Sequence, residues 1–179
     1  MKMKYVSVVV LAIVIFSVSA YYLYNQNNEY KYYRSYEMQI NSTNKSMDLC
    51  QSAMSSIMIS MMGQNVSSSN IKADLVNANS SNTMAINYSQ QMVNSSKTNS
   101  EKQYAQLLLK QSNGMSKFID LLIILSNSSN DTGKVNDIME KLNAIKTEEE
   151  SYQTDLDDIR ANNPDLDKRL TEIEKKYNG

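Results

Sequence analysis

Apolar and small residues return every three or four positions along this chain, first at Tyr33, Tyr36, Ile40, Thr43, Met47, Cys50, Met54, Ile57 and Met61. Spacing that alternates between three and four is the seam of a helix packed on other helices. Three later segments repeat it over similar lengths. The second carries Ile71, Leu75, Ala78, Asn82, Ala85, Ser89 and Met92, and the third Tyr104, Leu108, Gln111, Met115, Phe118, Leu122 and Leu125. The fourth carries Val135, Ile138, Leu142, Ile145, Glu149, Tyr152, Leu156 and Ile159. The period predicts an all-α fold. Segments of roughly 28 residues span about 42 Å each, and equal lengths with short links suit an antiparallel up-down four-helix bundle.

Stop and start signals divide the segments. Helix one begins near Asn28, or runs on from the residues before it, and stops at Met62 with Gly63 in the left-handed position. Ser68 or Ser69 caps the next helix, whose small, polar seam makes it the weakest, with Met84, Ile86, Tyr88 and Val93 competing for the inward face. Thr98-Asn99-Ser100-Glu101 reads as a capping box, so the chain breaks there. Without that break the second and third segments form one helix and the fold becomes a three-helix coiled-coil bundle. Residues 126–133 read as a polar loop, and Pro164 opens a short C-terminal helix with Leu166, Leu170, Ile173 and Tyr177 on one face.

The segment before the bundle has another character. Lys2 and Lys4 precede an apolar run over residues 5–24, with no charge before Glu29. Its length spans the hydrocarbon layer of a bilayer, the lysines stay cytoplasmic, and the tyrosines at 21, 22 and 24 favour the outer interface. Val18-Ser19-Ala20 offers the rival reading of a signal segment cleaved after Ala20. The domains expected are therefore an anchor or signal segment at 1–27, an extracytoplasmic bundle at 28–162 and a short helix at 163–179. On either reading the bundle lies outside the cytoplasmic membrane, single-pass in one case and secreted in the other.

Alternating helix direction aligns the seams into layers. Met54 meets Leu75, Leu122 and Ile138, while Cys50 meets Ala78, Phe118 and Leu142. Thr43 meets Ala85, Gln111 and Glu149, so three polar seam residues fall in one layer. Thr43, Gln111 and Glu149 form a candidate interior polar layer that fixes register. The plainer reading, which the sequence favours, turns Glu149 to water beside Glu148 and Glu150.

Composition narrows the chemistry. Among 179 residues there are four Gly and one Pro, so long unbroken elements are expected. A net charge of −1 and a pI near 5.5 leave no basic field for nucleic acid. The absence of His removes the usual general base and the commonest metal ligand. Cys50, the single cysteine, reads as a small buried residue rather than half of an interchain disulfide. Met54, Met58, Met61 and Met62 read as core filling rather than a copper site. Glu148, Glu149, Glu150, Asp155, Asp157 and Asp158 read as a solvated face, because no glycine turn arranges them as a calcium loop. With no phosphate loop and no activated nucleophile, an enzyme is not expected, and no cofactor or metal is implied. Asn-x-Ser/Thr occurs at Asn41, Asn44, Asn65, Asn79, Asn87, Asn94, Asn127 and Asn130, all off the seam or in loops, as candidate glycosylation sites.

Two roles follow from this pattern. The first is a non-catalytic surface or envelope protein, held to the bilayer through residues 5–24, that works by contact as a homo-oligomer or with a membrane-protein partner. The second is a small-ligand module using the Thr43, Gln111 and Glu149 layer or a cavity left by the small residues of helix two. An anchored bundle of this kind resembles, in outline over about residues 30–160, the extracytoplasmic sensing domains of chemoreceptors and sensor kinases. That resemblance implies no functional residue, and the second span and output module of such receptors are not among these residues. The C-terminal helix reads as frayed, the alternative being that Lys168, Arg169, Lys175 and Lys176 touch anionic headgroups.

Overall fold

The computed structural model describes the backbone of residues 2–64, 66–128 and 131–176, with side chains from Tyr24 onward, Thr132 excepted. Among the described residues there are five helices and no strand: α1 (Lys2–Met61), α2 (Ser68–Ser95), α3 (Asn99–Asn127), α4 (Thr132–Ala161) and α5 (Pro164–Glu174). No Gly or Pro interrupts α1, which runs unbroken for 60 residues. The side chains of residues 5–23 lie outside the described residues, and with them the apolar run read as an anchor. Among those described, no helix is long and apolar enough to cross a membrane.

The ends follow local chemistry. Gly63 takes φ +79°, its N–H donating to Ser60 O at 3.0 Å and Gln64 N–H to Ile59 O at 3.3 Å. That pair of bonds satisfies carbonyls the helix end leaves free, and a Cβ there would be strained. Ser67, not Ser68 or Ser69, holds the cap position of α2; its hydroxyl pairs with Ser69 Oγ at 2.6 Å instead of a backbone amide. Thr98 accepts from Glu101 N at 3.1 Å while Glu101 Oε2 accepts from Thr98 N at 3.1 Å, so the capping box is complete and the three-helix alternative falls. The expected 126–133 loop is shorter, because α3 runs through Asn127 and Asp131 caps α4 through Lys134 N at 3.2 Å.

Side-chain bonds fix the directions. Ser35 pairs with Gln91, Ser46 with Ala78 O and Ser52 with Asp74, so α2 runs antiparallel to α1. Asn82 reaches Ser112 and Ser116 of α3, and Lys110 lies over Tyr152 while Gly114 meets Glu149, so α4 runs antiparallel to α3. Tyr32 to Glu101 and Tyr36 to Tyr104 keep one register along the parallel α1–α3 diagonal. The pairs that pack are α1 with α2, α2 with α3, α3 with α4 and α1 with α3, while α5 touches both α1 and α4. The flank between α1 and α4 is thus not zipped along its length.

Two apolar clusters fill the interior. The far cluster joins Cys50, Ile57, Leu75, Ile119, Leu122 and Leu142; the near one joins Tyr32, Tyr36, Met92, Tyr104, Leu108, Leu156 and Leu170. Between them lies a polar waist of buried Gln39, Ser42, Ser46, Ser81, Asn82, Ser89 and Ser112. On α2 all seven seam residues are buried, while its competitor Met84 is exposed. On α1 the inward face is turned from the expected seam: Ser35, Gln39, Ser42, Ser46 and Ala53 are buried, and Met47 and Met61 are exposed. Ser46 donates to Ala78 O of α2 at 3.0 Å, a close approach of the two helices that a methionine at that position would prevent.

Two other expectations change. Met58, Met61 and Met62 are exposed, Met62 at 73%, rather than core. Antiparallel pairing sets Ser52 beside Asp74, and α2 begins only at Ser68, so α2 does not reach the last turn of α1. Over its described residues the C-terminal helix is packed rather than frayed, with Leu166 and Leu170 buried in the near cluster and Ile173 against it, while Tyr177 lies outside them. Arg160 at the end of α4 donates to Asp167 and Glu174, each at 2.6 Å, and Tyr36 of α1 donates to the same Glu174. Burial opposes the Arg160 charge, but those carboxylates outweigh it and hold the guanidinium protonated. Arg169 pairs with Glu29 and Lys176 with Glu37 at 3.6 Å, turning two of the four basic residues onto α1. Cys50 is a buried free thiol, pushed up to about 11 by burial.

Candidate functional site

At the waist, the flank between α1 and α4 opens into a cleft of about 520 Å³. Gln39, Thr43 and Met47 line it from α1, Asn82 from α2, Gln111, Ser112, Met115 and Phe118 from α3, and Ile145, Lys146, Glu149, Glu150 and Gln153 from α4. Most polar groups around it are already committed. Gln39 Nε2 donates to Thr43 Oγ1 at 3.1 Å, and Asn82 Nδ2 donates to Ser112 O and Ser116 Oγ, both at 2.8 Å. Ser112 Oγ donates to Leu108 O at 2.9 Å. These bonds meet the cost of burying polar groups between two apolar clusters.

Two groups are exceptions, Ser89 in the waist and, lining the cleft, Glu149. Glu149 Oε1 is buried with no hydrogen-bond partner, and it stands against Gly114 of α3 in the space a Cβ would fill. The glycine in mid-helix therefore makes room for the carboxylate. Burial first, then the neighbouring Glu148, push the Glu149 carboxyl up to about 7, with Lys117 opposing. Apart from Glu149, the acidic residues expected on a solvated face are exposed.

Thr43, Gln111 and Glu149 thus come to one cleft, Ala85 of the same layer being buried behind them. No hydrogen bond joins the three: Thr43 takes its bond from Gln39, and Gln111 makes none among the described side chains. Glu149 is half-buried rather than solvated. The sequence reading missed Gln39, Ser112 and the role of Gly114. A signal for the first existed, because Ser35, Gln39, Ser42 and Ser46 keep the three-four spacing one residue away from the chosen seam.

Substituting Gly114 by Ala tests the cradle. Only the far end of a flexible side chain blocks the new methyl, so Glu149 swings to water while the helix gains intrinsic propensity. Stability rises by about 1 kcal/mol in chemical denaturation, and the Glu149 titration returns toward the ordinary carboxylate range. A loss of stability would show that the carboxylate is held in place by more than space.

The other singled-out positions are dispersed. Asn41, Asn44, Asn79, Asn87, Asn94 and Asn127 are exposed, and Asn65 and Asn130 lie outside the described residues. Ser46, Ser81 and Ser89, two places after three of these asparagines, are buried. Exposed Asn beside buried Ser is a helix-face pattern, so the recurrence needs no glycan to explain it. Among the described residues no group of three or more His, Cys, Asp or Glu converges as a metal set. Compared with protein-family models, curated proteins and solved structures, the chain matches none.

Proposed function

We propose that this chain is a non-catalytic, membrane-anchored helical bundle that stands outside the cytoplasmic membrane and works by contact with another protein. The observation carrying this reading is the unbroken helix Lys2–Met61, which leads the apolar run of residues 5–24 into the bundle without a hinge. A rise of 1.5 Å per residue sets Met61 about 55 Å beyond Tyr24. Met58, Ile59, Met61 and Met62 are exposed at that far end, too distant to reach the bilayer that holds the anchor. Exposed methionines suit an adaptable protein surface. Self-association and a membrane-protein partner are the two forms such contact takes.

A photo-crosslinking residue at Met61, compared with one at Asn87 in intact cells, tests this. Membrane-bound adducts at position 61 and not at 87 support the reading. Recovery of a soluble chain beginning at Tyr21 would remove the anchor, and equal labelling at both positions would remove the far-end contact. The waist cleft favours a second reading, a small-ligand module, because its volume falls in the range of about 300–1,000 Å³ usual for small-molecule sites.

A further inference from the structure

We propose that the waist cleft binds a small organic ammonium ion, its charged head paired with Glu149 and its apolar tail against Met115, Phe118 and Ile145. This rests on the second reading above and is independent of the anchor. The cleft supplies what such a cation needs and what the protein leaves unused. Glu149 Oε1 has no partner, and Gly114 shapes the α3 surface so that the carboxylate sits back into the wall of the cleft. An unpaired carboxylate in that position is costly, and an incoming cation that donates hydrogen bonds removes the cost.

The charges around it select the ligand class. From α4, Lys146 and Glu150 also line the cleft, but at its exposed mouth, where they pair with each other at 3.7 Å, and Glu148 accepts from Tyr152. From α3, Lys117 is exposed and forms no ion pair with Glu149, while Lys110 lies over Tyr152. The residues of α1 and α2 that line the cleft are Gln39, Thr43, Met47 and Asn82, none of them titratable. One inward carboxylate does not furnish the six to eight oxygens calcium takes. Amides and a hydroxyl beside apolar walls suit an ammonium with a short hydrocarbon tail instead. With the free carboxyl pushed up to about 7 by burial, binding the cation near neutral pH expels a proton.

The test uses the full chain with n-butylammonium as probe and n-butanol as its uncharged match. Binding is followed through the methyl signals of Met47 and Met115 and by calorimetry. The carboxyl is about one-tenth ionised at pH 6 and nine-tenths at pH 8, so n-butylammonium binds about tenfold tighter at pH 8. Glu149→Gln weakens it at least about tenfold and abolishes the pH dependence, and Gly114→Ala, which moves the carboxylate without disturbing the fold, weakens it as well. Equal affinity for n-butanol, or an unchanged Glu149→Gln, would overturn the cation and leave a site for neutral ligands. No response to either probe would overturn the cation and the small-ligand reading together.

Discussion

Leu170→Ala is expected to destabilise the protein by about 3 kcal/mol, measured by urea unfolding, although it lies in an eleven-residue terminal helix. Leu170 is 0% exposed, buried with Tyr36, Tyr104 and Leu156 in the near cluster. Truncation removes transfer energy and leaves a cavity that neighbouring rings do not collapse to fill. The helix cannot simply swing aside to relieve the loss, because Arg160 ties Asp167, Thr171 and Glu174 to the end of α4. Tyr36 and Glu29 hold it from α1, through Glu174 and Arg169. Were α5 an appendage, the same substitution would change stability by less than about 0.5 kcal/mol, as surface changes do.

The second large effect concerns pH. Glu149 has a folded-state carboxyl raised to about 7, above its ordinary value of 4.5. Between those values the folded chain holds a proton that the unfolded chain has released, so stability falls as pH rises through that window and levels off above it. The group is only half enclosed, and solvent screening reduces the full linkage to about 1–2 kcal/mol. Urea midpoints between pH 5 and pH 8 should therefore drop for the native chain and stay nearly level for Glu149→Gln. Other carboxylates provide the control. Glu174, for which burial is outweighed by Arg160 and Tyr36, is held below its usual range and contributes nothing to this window. A parallel fall in both chains would assign the effect elsewhere.

Much of this fold was legible because the signals are local or periodic. The seven positions of α2, the capping box at Thr98, the left-handed Gly63 and the start of α5 at Pro164 all follow from spacing and backbone chemistry. The inward face of α1 was not, because hydropathy ranks Met47 above Ser46, whereas close packing against Ala78 ranks them the other way. Burial of small polar side chains reflects the partner helix, which a single segment does not display. The candidate site was legible only as a coincidence of layers. Counting from the turns brought Thr43, Gln111 and Glu149 together, but not the bonds of Gln39 and Asn82 or the opening beside them. Gly114 is the informative residue, since a glycine in mid-helix costs stability and here leaves the space that Glu149 occupies.

The most direct measurement is the side-chain carboxyl ¹³C titration of Glu149 in the full-length chain. A midpoint near 7 is expected if the carboxylate sits back against Gly114 at a polar waist between two apolar clusters. A midpoint at the ordinary 4.5 would put Glu149 in water, and the waist cleft could not then be the site described.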